Sequence, residues 1–239
     1  MARLLFHKIK LLFFTFIILS LGLYPLALYL YLLVKFLNFS VWWTYLLTPI
    51  FIYLGIILLY YGEIIISGLI IRLFNIRYNE GEYDYTLKNK NAFTWILICT
   101  VYTPFRKLME ILPVGGLKNW YFKMLGMQIG ENTLVGGVIK DPCMTRFGKN
   151  STMGEYAIIY AHITDYAKGT INIKPVNIGN NCVIGAGAII MPGVTIQDHV
   201  VVATGAVVLQ DSILESNHIY AGIPAKPISK KIQKKRERK

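Results

Sequence analysis

Aliphatic residues return every sixth position through the second half of the chain: Ile178, Ile184, Ile190, Ile196, Val202, Val208 and Leu214. The same spacing links Ile129, Val135, Phe147, Met153 and Ile159, with glycine following four of them at 130, 136, 148 and 154. A period of six suits neither a lone helix nor a lone strand. It predicts a solenoid whose coils are three short parallel strands joined by tight turns, with aliphatic side chains filling the interior. Asp141 breaks the pattern. The register slips between Ile159 and Ile178, which predicts an external loop over about 164–177.

The first third of the chain shows a different pattern, with no polar face. Residues 11–34 and 41–62 carry no charge. A bilayer core about 30 Å thick needs roughly 20 apolar residues as helix, so each run predicts one transmembrane helix, interrupted once by proline (Pro25, Pro49). The first run is longer than the apolar core of a cleaved signal peptide. Apolar character persists to about Phe74, so helix two projects beyond the bilayer or bends along its surface. Glu63, just past a complete span, reads as an interfacial, structural residue. Residues 1–78 thus form a transmembrane hairpin and 79–120 a connector. The connector holds a polar stretch at 79–91, an interfacial helix at 92–112 broken by Pro104 and by charges, a hinge at Gly115-Gly116, and a short helix at 117–125 capping the solenoid. The solenoid takes 121–228, and a basic tail 229–239.

Composition agrees with this division. The chain is 54% hydrophobic, with a mean hydropathy of +0.47. Its net charge of +12 is concentrated near the membrane segments and in the tail, where basic residues favour anionic headgroups. No recognised nucleic-acid fold accompanies that charge. Arg3, Lys8 and Lys10 precede the first span, Arg72 and Arg77 follow the second, and the intervening loop has only Lys35. This bias places both termini and the solenoid in the cytoplasm of a multi-pass cell-membrane protein. Three cysteines, Cys99, Cys143 and Cys182, have neither metal-ligand spacing nor an even number for a full disulfide framework.

The hexads, and the closing segment Ala221-Gly222-Ile223-Pro224-Ala225-Lys226-Pro227-Ile228, resemble the hexapeptide-repeat acyltransferases, in particular the maltose, galactoside and nodulation-type O-acetyltransferases. The resemblance covers 121–228. It implies a left-handed parallel β-helix, a homotrimer with sites between subunits, and transfer of an acyl group, usually acetyl from acetyl-CoA, to a hydroxyl or amine. The pairing of membrane helices with hexads also resembles membrane-anchored polylysine-synthetase-like terminal components, which keeps an amine acceptor as the alternative.

Acyl transfer to a hydroxyl needs a base, and imidazole, with an unperturbed pKa near 6.5, suits that role. His7 precedes the membrane segment, His218 lies near the C-terminal end, and His199 occupies an ordinary turn. His162 stands immediately before the register break, where the related acetyltransferases carry their catalytic histidine. Glu155 and Asp165 are the candidate carboxylates to orient it. Stacking at eighteen residues puts Met144, not an acid, above His162. The asparagine of the sugar acetyltransferases has no clear counterpart, Gly154 lying near its place. Ala186 and Thr204, eighteen apart, match positions that touch CoA in the galactoside-type enzymes, and Lys226 matches a basic position near the nucleotide phosphates; all three residue types also occur as ordinary turn or surface residues.

The expected function is transfer of an acyl group from acyl-CoA to a membrane lipid, lipid-linked glycan or surface-polymer precursor, with no metal. A γ-carbonic anhydrase, which shares the solenoid, needs three histidines around zinc between subunits, two of them close in sequence; His162 and His199 are 37 apart. A sugar nucleotidyltransferase would need a nucleotide-binding domain where the membrane helices stand. A membrane-anchored trimeric scaffold without activity is the non-enzymatic alternative.

Overall fold

The computed structural model describes residues 2–38, 40–111 and 116–228. Gly115 of the expected hinge and the basic tail 229–239 lie outside the described residues. The chain divides into two units. One comprises Met1–Ile76 and Phe93–Gly115, the other Arg77–Ala92 and Gly116–Lys239.

The first unit is helical. Helices α1 (Ala2–Gly22), α2 (Tyr24–Phe36) and α3 (Trp42–Leu73) are followed by α4 (Lys90–Ile111). The apolar run at 11–34 is therefore two helices, not one interrupted span. Pro25 explains the break, because it has no N–H and its ring crowds the carbonyl four residues earlier; the chain turns at Leu23 and α2 starts with proline in its first turn. Pro49, by contrast, stays inside an unbroken α3. At 1.5 Å per residue the 32 residues of α3 reach about 48 Å. Leu5–Gly22 and Trp42–Leu73 are long and apolar enough to cross a membrane. α4 also runs through its proline, Pro104, and pairs Arg106 Nη1 with Glu110 Oε1 at 2.6 Å.

α1 and α2 both pack on α3. Tyr29 donates its hydroxyl to the Phe51 carbonyl at 2.8 Å. Gly22 and Gly62 allow the closest approach: a Cβ on Gly62 would lie 2.7 Å from the Gly22 carbonyl oxygen, and one on Gly22 would run into the Glu63 carboxylate. Glu63 is 5% exposed. It is enclosed by the helices rather than lying at an interface with solvent.

The second unit is the solenoid. Three parallel sheets form its faces. One contains Gln128–Ile129, Thr145–Phe147, Val176–Ile178, Thr195–Ile196 and Ile213–Leu214. A second contains Leu134–Val135, Thr152–Met153, Val183–Ile184, Val201–Val202 and Ile219–Ala221, with Lys226–Pro227 folded back antiparallel at its end. The third contains Val138–Ile139, Ile158–Ile159, Ile189–Ile190 and Val207–Val208. Every hexad aliphatic from Ile178 to Leu214 is buried, and so is the residue two before most of them: Cys182, Ala188, Val194, Val200 and Ala206. Each fully buried aliphatic contributes roughly 1.5–3 kcal/mol relative to exposure.

The corners require left-handed backbone. Asn132, Asn150, Asn181, His199 and Asn217 occupy successive turns of one corner, all with φ between 53° and 60°. Asparagine tolerates that conformation better than most residues, and its side chains form a ladder, Asn132 to Asn150 at 3.3 Å and Asn150 to Asn181 at 3.4 Å. His199 is one rung of this column. The first coil is capped by α5 (Gly116–Met124). Lys118 Nζ donates to the carbonyls of Gly136 and Gly137, and Asn119 Nδ2 to that of Thr133.

Two departures from the six-residue register matter for the site. The inward residue after Val135 is Ile139, not Asp141, so Ile139 pairs with Ile159 twenty residues on. A 3-10 turn, Pro142–Met144, then restores the phase. The second departure is the predicted external loop, which is a β-hairpin and starts earlier, at His162. His162–Asp165 pairs antiparallel with Thr170–Ile173. The far side of Thr170–Ile173 takes Gly81–Asp84 as a third strand. The polar connector at 79–91 thus contains a strand of this sheet.

Candidate active site

Asp141 is fully buried between the displaced inward register and the 3-10 turn. A buried carboxylate is tolerable only when its oxygens are hydrogen-bonded. Tyr78 donates its hydroxyl to Oδ1 at 2.9 Å. Oδ2 accepts the Ala161 N–H at 3.0 Å and faces His162 Nδ1 at 2.7 Å. The Asp141 carbonyl also accepts the Thr145 hydroxyl at 2.9 Å.

This geometry selects the imidazole tautomer. Nδ1 must donate to the carboxylate, which leaves the lone pair of the neutral ring on Nε2. The His162 side chain is 17% exposed, while its aspartate partner is inaccessible. The Tyr160 and His162 rings meet edge to face, centroid to centroid 6.3 Å, and Lys140 Nζ is 5.7 Å from the Tyr160 centroid. The arrangement can accept a proton at Nε2 and stabilise the resulting imidazolium through Asp141. Cys143 is adjacent, but burial pushes its thiol up to about 11, so it remains a thiol rather than a nucleophilic thiolate. Among the described residues no group of three or more histidine, cysteine or acidic side chains could hold a metal.

The carboxylate on His162 is therefore Asp141, not Glu155 or Asp165. Asp165 Oδ1 accepts the N–H groups of Ala167 and Lys168, both at 3.0 Å, and closes the hairpin turn. Glu155 belongs to another corner, where its carbonyl accepts the Gly187 N–H at 3.0 Å. Nor does Met144 stack on His162, because His162 has left the solenoid and pairs with Ile173. Sequence reasoning missed both Asp141 and Tyr78. The available signal was the polar residue at a nominally inward position, since an acid there demands donors.

The residues proposed for CoA share the corner of Glu155. Ala186 and Thr204 are exposed, and the Ala186 carbonyl accepts the Gly205 N–H at 2.9 Å. The C-terminal turn continues the column. Val207 N–H donates to the Gly222 carbonyl, and Ala225 N–H to that of Val207. Lys226, paired with Ala221, is exposed at the end of this turn. Within one chain, then, Ala186, Thr204 and Lys226 lie along one corner of the prism, and His162 leaves from the next. The face holding Ile158–Ile159 and Ile189–Ile190 separates them.

Residues 175–210 match the family described as bacterial transferase hexapeptide (six repeats). The chain is similar to "Putative acetyltransferase YvoF" of Bacillus subtilis (strain 168), 35% identical over 110 residues, covering 44% of this chain and 63% of the relative. It is also similar to a "Putative acetyltransferase" of Dictyostelium discoideum, 40% identical over 109 residues, covering 43% of this chain and 56% of that one. The chain thus spans less than two thirds of the length of these curated relatives. Among solved structures, a maltose O-acetyltransferase from Clostridium difficile 630 aligns at 20% identity and a TM-score of 0.48, over 63% of this chain and 92% of that one. Residues 175–210 thus carry hexapeptide repeats of the kind found in bacterial transferases, and here they build part of a three-faced parallel coil.

Proposed function

We propose that the chain is a CoA-dependent acyltransferase that moves an acetyl or other acyl group to a hydroxyl of a membrane-proximal acceptor, such as a lipid-linked sugar or surface-polymer precursor. The observation that carries this reading is the 2.7 Å contact between His162 Nδ1 and the buried Asp141 carboxylate, at the edge of a hexapeptide solenoid. His162 Nε2 takes the proton of the acceptor hydroxyl as its oxygen attacks the thioester carbonyl. The carbon–sulfur bond breaks, and the imidazolium returns its proton to the departing CoA sulfur. The corner of Ala186 and Thr204, with Lys226 at its end, receives the acyl-CoA.

The membrane part of the reading is supported by what the helices expose. Phe16, Val34, Phe36, Trp42 and Leu73 are each more than 70% exposed, a display that lipid accommodates and water does not. With the basic flanks, this supports a cell-membrane protein whose termini and solenoid are cytoplasmic, where acetyl-CoA is available.

The test is incubation of the full chain, in native membranes, with a panel of radiolabelled acyl-CoAs, followed by identification of the labelled product. His162→Ala should lower kcat by roughly 10²–10⁴-fold with the protein still folded. Transfer at near wild-type rate by that variant, or no transfer from any acyl-CoA by the unaltered protein, overturns the proposal. An amide-linked product would assign an amine acceptor instead.

A further inference from the structure

We propose that residues 77–85 form a strap that positions His162, with Tyr78 acting through Asp141 and the strand Gly81–Asp84 acting through the hairpin. The proposal rests on the reading of His162 as the proton acceptor. The strap lies outside the matched repeats at 175–210 and is a feature that a bare hexapeptide coil lacks.

Three contacts carry the inference. At its start, Tyr78 is 1% exposed, and its hydroxyl donates to Asp141 Oδ1 at 2.9 Å. The other oxygen serves Ala161 and His162. With donors on both oxygens the plane of the carboxylate is held, so the tyrosine fixes the direction in which an oxygen meets the imidazole. In its middle, Gly81 pairs with Ile173, and Ile173 pairs on its other side with His162. The strap and the histidine thus flank one residue, which is itself fully buried. At its far end, Tyr85 N–H donates to the Gly169 carbonyl at 2.7 Å, and the Tyr85 and Tyr166 rings meet edge to face, centroids 5.8 Å apart, at the hairpin tip. The strap therefore holds the hairpin at base and tip while anchoring the carboxylate that the base faces. A two-stranded ribbon alone is marginally stable in water, and a third strand is what gives it independent order.

The decisive variant is Tyr78→Phe, which removes one oxygen and keeps the ring. It should lower kcat by about 10–100-fold, by analogy with loss of the partner that orients a metal-bound histidine, while the KM for acetyl-CoA changes less than about twofold. A second readout does not depend on turnover. Nitrogen NMR of histidine-labelled protein should show His162 in the single Nδ1–H tautomer, and Tyr78→Phe should populate both tautomers. Tyr85→Ala leaves the hydroxyl contact in place; it should raise amide exchange over 162–173 and lower kcat. Unchanged kcat and an unchanged tautomer in Tyr78→Phe overturn the proposal, as does a fall in melting temperature with kcat retained. If Tyr78→Phe does not fold, unchanged exchange and kcat in Tyr85→Ala overturn it. If the unaltered protein transfers no acyl group, the enzymatic reading fails, and the tautomer and exchange measurements still decide whether the strap holds His162.

Discussion

A single acid at position 141 links the fold to the chemistry. Asparagine there keeps the volume and one acceptor oxygen. Its amide group can turn toward the Tyr78 hydroxyl while the oxygen still faces Ala161 and His162. Asp141→Asn should therefore stay folded but lose the charge that balances an imidazolium, with kcat falling by roughly 10²-fold or more. Asp141→Leu leaves buried donors without an acceptor, at about 1–3 kcal/mol each, and denaturant titration should show that loss directly. A stable Leu variant with full turnover would remove Asp141 from both roles. In the sequence this residue stands out only as a break in a six-residue period. The break is legible; its meaning is not. The Tyr78 donor is 63 positions away, and a short 3-10 turn shifts the phase, so counting by eighteen leads to Met144 instead.

Elements that follow from local rules were readable, and those set by distant pairing were not. The hexads specify their coils because each strand pairs with the one a coil away, so every inward residue from Ile178 to Leu214 lies where the period places it. The hairpin escapes that logic. His162–Asp165 has no repeat to stack on, and its sheet is completed by Gly81–Asp84, which reads in sequence as polar connector. The corners carry their own prediction. A Cβ on Gly148 would lie 2.7 Å from the carbonyl carbon and oxygen of Gly179 in the next coil. Both are backbone atoms that hold adjoining strands, so the coil spacing itself has to yield. Gly148→Ala should cost about 1–3 kcal/mol, the usual range for overpacking, seen as a lower melting temperature of the solenoid. The same change at Gly169, where a Cβ meets nothing within 4 Å, should cost less and act only through its positive φ of 66°.

For the molecule as a whole, the central question is whether one chain holds a complete site. Ala186 and Thr204 follow strands of the second face, whereas His162 follows a strand of the third. The two corners bound the same face of the prism. A thioester lying along one corner would have to cross that face to reach the imidazole of its own chain. In a cyclic assembly the corner of one copy can instead lie beside the next corner of its neighbour. The trimer that the family resemblance implies would therefore be a statement about catalysis, and complementation tests it. Ala186→Trp places a bulky side chain on an exposed corner; it should cost less than about 0.5 kcal/mol while blocking acyl-CoA. His162→Ala leaves that corner intact but lacks the proposed base. Each variant alone should be inactive. Co-expressed in equal amounts, a random trimer whose sites each combine the Ala186 corner of one copy with the His162 corner of the next should recover about one quarter of wild-type activity. If each site belonged to a single chain, every site in the mixture would carry one defect and no activity would return. Recovery near one quarter in mixed assemblies, with none when the two variants are purified separately and kept from exchanging, would place the reaction between subunits.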